Sequence, residues 1–184
     1  KSRIKQSVST KEVSELSDAQ KVAFDDIKAG FAEGKPVLLH GVTSSGKTEI
    51  YIKLIQEVVE KGGEVLYLVP EIALTTQLTD RLKQVFGDTL INYHSKLSDA
   101  ERGEIYNEIG SRFKVVLGVR SAVFLPFTNL QLIIVDEEHE PSYKQQDPAP
   151  RYHARPAAIM MAHWYGAKVL LGTATPSIES YHNA

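Results

Sequence analysis

Not one of the 184 residues is cysteine, which excludes a disulfide framework and any thiolate metal site within this chain. Long apolar runs are missing too, since nothing approaches the roughly 20 consecutive apolar residues of a membrane span. Neither sign of charge dominates. The formal net charge is −2, so no global basic field advertises nucleic acid or an anionic membrane, and any such binding must be local. The first stretch, "KSRIKQSVSTKEVSEL", has no apolar signal core. With Lys1, Arg3, Lys5 and Lys11 set against Glu12 and Glu15, residues 1–15 read as a polar linker, and the whole as a piece of a larger chain. What is present is an ordinary globular composition, 42% apolar and 24% charged, and residues 16–184 suffice for one domain with a full core.

Helical and strand patterns alternate along that domain. "LSDAQKVAFDDIKAGFAEG" places Phe24, Ile27 and Phe31 on one helical face, and "TEIYIKLIQEVVEKGG", "LTTQLTDRLKQVFG", "SDAERGEIYNEIG" and "ARPAAIMMAHWYG" read as further helices. Between them, "KPVLLHG", "EVLYLV", "FKVVLGV", "LQLIIVD" and "AKVLLGT" read as strands. Their Val, Leu and Ile run unbroken rather than alternating, which implies burial on both faces. The expected fold is α/β, a mostly parallel sheet with helices on both faces. Ligands of such sheets sit beyond the carboxyl ends of the strands. Every unusual stretch falls there: "HGVTSSGKT", "VPEIALT", "GVRSAVF", "DEEHE" and "GTATPS".

"GVTSSGKT" (residues 41–48) fits G-x-x-x-x-G-K-S/T between a strand and a helix, the context that gives the pattern meaning. Gly41 and Gly46 let the backbone curl so that the N–H groups of Val42, Thr43, Ser44 and Ser45 face inward as an anion nest. The following helix adds its positive end. Lys47 then reaches the outer phosphates of a nucleotide, and the Thr48 hydroxyl ligates Mg²⁺. The plainer reading is a Gly/Ser turn with a solvated lysine.

"LIIVDEEHE" (residues 132–140) runs an apolar strand into Asp136, Glu137 and Glu138. Adjacent carboxylates repel, so a cation or solvent must compensate. With a Mg²⁺–nucleotide on the phosphate loop, Asp136 is the metal's ligand through water, Glu137 polarises the attacking water, and Glu138 lies on the solvent side. The plainer alternative is three hydrated acids at a strand end. His139 by itself reads more simply as a packed or capping histidine, and no second His or Cys stands at zinc-site spacing.

"DEEH", "GVTSSGKTEIY", "LVPEIALTTQL", "VLGVRSAVFLPF", "IIVDEEHEPSYKQQ", "RYHAR" and "LGTATPSIES" together closely resemble the replication-restart DNA helicases of the second helicase superfamily, over roughly residues 16–184. The resemblance implies a RecA-like P-loop NTPase lobe, the first of two. It also implies ATP and Mg²⁺ as cofactors, with zinc only in a second lobe. Single-stranded and forked DNA, other primosome proteins and single-stranded-DNA-binding protein are the implied partners, in a bacterial cytoplasm at the nucleoid, with no membrane. It makes Lys47, Asp136, Glu137 and His139 catalytic, His139 relaying between the acids and Thr173 and Thr175, which couple hydrolysis to movement. Arg120 becomes a DNA phosphate contact. In "EPSYKQQDPAPRYHAR", Tyr143 and Tyr152 are expected to stack on bases, and Lys144, Arg151 and Arg155 to meet phosphates. A solvated loop with its tyrosines tucked onto the core is the plainer reading there.

Gln20 is ambiguous: it either reads adenine or, in "SDAQ", only satisfies a helix-end N–H as part of a capping box with Ser17. The sequence departs from the family at Ser44, where glycine is common, at Tyr106, where tryptophan is, and at Pro156, where an acid is. Alternatives from the residues alone are another superfamily 2 translocase (an RNA helicase or restriction-type motor), a small-molecule P-loop kinase, or a non-catalytic module that keeps the loop for stability.

Overall fold

The structure is a computed structural model that describes residues 14–41, 46–147 and 151–174. Among these residues five α-helices have identifiable starts. In α1 (Asp18–Ala32), Ser17 and Gln20 form a reciprocal capping box, and Ser98 and Glu101 do the same for α4 (Asp99–Glu108). Thr75 caps α3 (Thr76–Phe86), and the His153 side chain accepts from Arg155 N at the head of α5 (Ala154–Tyr165). Helix α2 (Lys47–Glu60) differs: its N-cap is Gly46, and no side chain caps it. Its first N–H groups are therefore left for something outside the helix.

Among the described residues six strands build one sheet: β1 (Val37–His40), β2 (Glu64–Leu68), β3 (Leu90–Tyr93), β4 (Val115–Gly118), β5 (Leu130–Val135) and β6 (Lys168–Thr173). Their order is β1-β6-β5-β2-β4-β3, and every pairing is parallel. Successive residues of the central strands face opposite layers. Leu66 and Leu68 of β2 join the cluster under α4 and α5, whereas Val65 and Tyr67 join the one under α1, α2 and α3. Both faces are thus dry, which is why these strands are apolar without alternation.

Sequence patterning supplies five of the six strands and misses β3. "LINY" is only four residues, carries Asn92 in its middle and lies at the sheet edge, with three of its residues only half-buried. Its hydrophobic signal is correspondingly thin. At the opposite end from the strand-end motifs, buried Glu64 accepts from Thr128 N (2.9 Å), Asn129 N (3.1 Å) and Thr128 Oγ1 (2.8 Å), pinning the start of β2 to the turn before β5. Among the described residues no helix is long and apolar enough to cross a membrane.

Strand β6 sets the site geometry. It lies between β1, which leads to the phosphate-loop stretch, and β5, which ends at the acids; Leu39 is level with Gly172, and Val135 with Leu171. The two motifs therefore face each other across one intervening strand.

Candidate functional site

Lys47 opens α2 yet is only 5% exposed. Its Nζ lies 3.2 Å from Glu137 Oε1 and 4.0 Å from Asp136 Oδ1. A lysine so deep is rare without partners. The structure thus brings Lys47, Asp136 and Glu137 together from positions far apart in sequence. Thr48 follows on the first turn, half-buried. Before them, Gly46 holds φ at 77° in the left-handed region, and a Cβ there would come within 2.2 Å of Gln20 Nε2. Gly41 donates its N–H to Thr173 O at 2.9 Å, tying the loop's entry to β6. Val42, Thr43, Ser44, Ser45 and Thr175 lie outside the described residues.

Gln20 uses both ends of its amide inside the chain. Oε1 accepts from Ser17 N at 2.8 Å and Nε2 donates to Gly46 O at 3.1 Å. It both caps α1 and ties that helix to the end of the phosphate-loop stretch.

Asp136 has neighbours that sequence reasoning missed. Tyr51 OH donates to Oδ1 at 3.0 Å, Tyr67 OH to Oδ2 at 3.4 Å and Glu137 N to Oδ1 at 3.1 Å, while Tyr143 OH donates to the Asp136 carbonyl. Tyr51 and Tyr67 also pack edge to face, with centroids 5.4 Å apart. Burial holds all three phenols well above their usual pKa, Asp136's charge adding to it, so they remain donors. Burial likewise pushes the Asp136 carboxyl up; the Lys47 charge opposes this, Glu137 reinforces it, and the Tyr51 bond opposes it. Tyr51 and Asp136 meet directly over Gly172, where a Cβ would come within 1.8 Å of the Tyr51 oxygen and 2.9 Å of Asp136 Oδ1. Only glycine leaves that space. One sequence signal existed: Tyr51 stands four residues after Lys47, on the same helical face.

Glu137 has φ 47°, the sole non-glycine residue with positive φ among those described. Such a conformation costs about 1 kcal/mol and is found where function holds it. The turn sends the Glu137 carboxylate back toward Lys47 and carries Glu138 inward. Glu138 is therefore 1% exposed rather than solvent-facing, and Arg155 Nη1 donates to its Oε2 at 2.7 Å. This corrects two expectations at once: Glu138 is no surface spectator, and Arg155 is committed to an internal ion pair. His139 Nδ1 lies 2.7 Å from Thr173 Oγ1 and 3.8 Å from Glu137 Oε2, bridging the acids and the end of β6.

The segment after the acids is corrected in part. Tyr143 is 1% exposed, its ring enclosed in the core and its hydroxyl on Asp136 O, so it offers no face to a base. Tyr152 is half-buried. Lys144 and Arg151 are exposed, the latter 3.8 Å from Asp147 in a solvated pair worth little. Arg120 donates to Ser142 O at 3.0 Å and lines a groove of about 350 Å³ over the carboxyl ends of β2 and β4, with Arg102, Ser121 and Gln145. Tyr106 is 56% exposed on α4 rather than packed in the core, and Pro156 sits in the first turn of α5.

Among the described residues no group of three or more His, Cys, Asp or Glu forms a metal cage. The donors present still suit Mg²⁺, which takes one or two protein ligands alongside substrate phosphates and water. Asp136 and Thr48 flank a buried lysine at an uncapped helix start, and the strained acid Glu137 is beside them.

An all-parallel sheet with a lysine at a helix start facing strand-end acids across one strand defines a RecA-like lobe. The chain belongs to the DEAD/DEAH box helicase family, whose family model matches residues 17–184. It is 48% identical over 172 residues to the replication restart protein PriA of Bacillus subtilis, covering 92% of this chain and 21% of that protein. With the PriA of Haemophilus influenzae it shares 47% over 170 residues, covering 91% and 23%. It therefore spans about a fifth of the length of these relatives. The fold is similar to that of the Pyrococcus furiosus Hef helicase domain, with TM-score 0.63 and 21% identity over 90% of this chain and 34% of that one. A similar likeness, TM-score 0.60 and 19% identity over 90% and 18%, links it to the Type ISP restriction-modification enzyme LlaGI in complex with a DNA substrate mimic.

Proposed function

We propose that this chain is the first motor lobe of an ATP-dependent DNA helicase that translocates 3′ to 5′ and acts in replication restart at stalled forks. The observation that carries the reading is the convergence of Lys47, Asp136 and Glu137 across β6. Family membership and identity near 48% to a replication restart protein support it.

Residues 41–48 hold the phosphates of ATP through backbone N–H groups, with Lys47 moving from its acids onto the outer phosphates. Thr48 and Asp136, the latter through water, would hold Mg²⁺, which when bound would neutralise charge developing on the transferred phosphoryl group. Tyr51 and Tyr67 fix both oxygens of Asp136. Glu137 orients a water for attack and takes its proton. His139 joins Glu137 to Thr173, and so ties the reacting end to the strand that carries the "GTATPS" motif. Arg120, Lys144 and Arg151 contact phosphates of single-stranded or forked DNA; Tyr152 contributes to the base-facing side. The parent protein works in the bacterial cytoplasm at the nucleoid, with other primosome proteins and single-stranded-DNA-binding protein, and its zinc belongs to a second lobe.

The test is steady-state ATPase of the full-length protein with and without single-stranded DNA. DNA is expected to stimulate the wild type, and Glu137→Gln to keep nucleotide binding while losing turnover by about 100-fold or more. Turnover in Glu137→Gln within a few-fold of wild type would remove Glu137 from its role.

A further inference from the structure

Phe124 ends the 3-10 turn Arg120–Phe124 and is 64% exposed, although Ala122 and Val123 of the same turn are buried. Leaving such a ring in water forgoes about 2 kcal/mol of burial. Single exposed apolar side chains are ordinary, but this one is held in place. Its ring stands edge to face on Tyr152, centroids 4.9 Å apart and planes at 71°. Tyr152 is half-buried, and Arg120 lies beside its hydroxyl. Arg120 also lines the groove over the carboxyl ends of β2 and β4. Ring, supporting ring and guanidinium thus form one continuous surface.

The surroundings indicate what this surface takes. Arg102 and Arg120 direct their hydrogen bonds to the carbonyls of Ser95, Leu97 and Ser142, while Glu71, the carboxylate lining the same groove, accepts from Ser95 Oγ, so two guanidiniums there stand against one acid. Lys144, between the groove-lining Tyr143 and Gln145 in sequence, is exposed. One open ring is far too small for a stable protein interface, which buries about 1,200 Å² or more. A flat apolar face flanked by cations matches a strand of phosphates with an unstacked base. The two tyrosines expected from sequence to serve bases are enclosed or half-enclosed, and Phe124 is the aromatic that the fold leaves open beside them.

We propose that Phe124 is a stacking surface for one unpaired nucleobase of the strand held along this groove, with Tyr152 fixing the ring and Arg120 meeting an adjacent phosphate. This rests on the helicase reading above. Arg120 alone would give no preference for a base over a bare sugar-phosphate chain; Phe124 gives one.

The experiment is fluorescence anisotropy with the full-length protein at fixed salt, using an oligothymidylate and an abasic oligonucleotide of equal length. Phe124→Ala is expected to weaken oligothymidylate binding about tenfold and to leave abasic binding unchanged. Phe124→Trp is expected to restore it, and Arg120→Ala to weaken both. Unaltered nucleotide affinity establishes that each variant is folded. Equal loss on both oligonucleotides, or no loss on either, overturns the stacking role while leaving the helicase reading intact. A wild type that binds neither oligonucleotide overturns the helicase reading and this inference with it.

Discussion

Asp136 shows how much of this site depends on single side chains. Its carboxylate is buried, its two oxygens are held by different tyrosines, and its nearest cation is Lys47 at 4.0 Å. Burial raises its pKa in the folded chain above the unfolded value. Its contribution to stability is therefore complete below the unfolded pKa and is lost as pH rises through the folded one. Asp136→Asn, in buffer free of nucleotide and metal, is expected to melt higher than wild type at about pH 7.5, with the gain shrinking toward about pH 4. Scanning calorimetry at both values checks this, and an Asn variant less stable at neutral pH would contradict it. The sequence displayed Lys47 and the acids directly, because their motifs are local. Tyr67 could not be read, since it reaches Asp136 only because β2 pairs with β5. Nor could the inward course of Glu138, which follows from one positive φ at Glu137.

Between elements, the Glu138–Arg155 pair connects the turn after β5 to the first turn of α5. The Glu138 carboxylate is enclosed, so removing Arg155 takes a compensating cation from a charge that water does not reach. Arg155→Ala is expected to cost about 3 kcal/mol in urea unfolding, and the double variant Glu138→Gln/Arg155→Ala to recover most of that. Losses that simply add would show that the two groups do not act together. Patterning identified both elements but not this link, because "DEEHE" and "RYHAR" are separated by a segment whose path periodicity does not specify. The missed edge strand β3 has the same origin: its pairing with β4 holds it in the sheet, not its own composition.

At the scale of the molecule, the proposed motor reading gives this lobe the phosphate-binding, metal-binding and water-orienting groups and leaves the other side of the nucleotide to a second lobe. The 184-residue chain alone is expected to bind Mg²⁺–nucleotide weakly and hydrolyse almost none, with no DNA stimulation, whereas the full-length protein turns over; a coupled-enzyme assay on both distinguishes them. Strong DNA-stimulated turnover by the isolated chain would contradict a two-lobe site. The parallel sheet was readable from its unbroken apolar strands, since both faces had to be covered. The strand order was not, because order depends on crossovers that residue type does not record.

The bare position at Gly172 also polices alignment. A parallel strand can slide by one residue at small cost in backbone hydrogen bonds, although every side chain then changes face. If β6 slipped so, Leu171 or Thr173 would stand where Gly172 does, and a side chain would be forced between the Tyr51 hydroxyl and the Asp136 carboxylate. The misaligned sheet would lose its packing and part Tyr51 from Asp136 at the same stroke, so the chain cannot reach a well-packed but shifted state that still joins these two side chains.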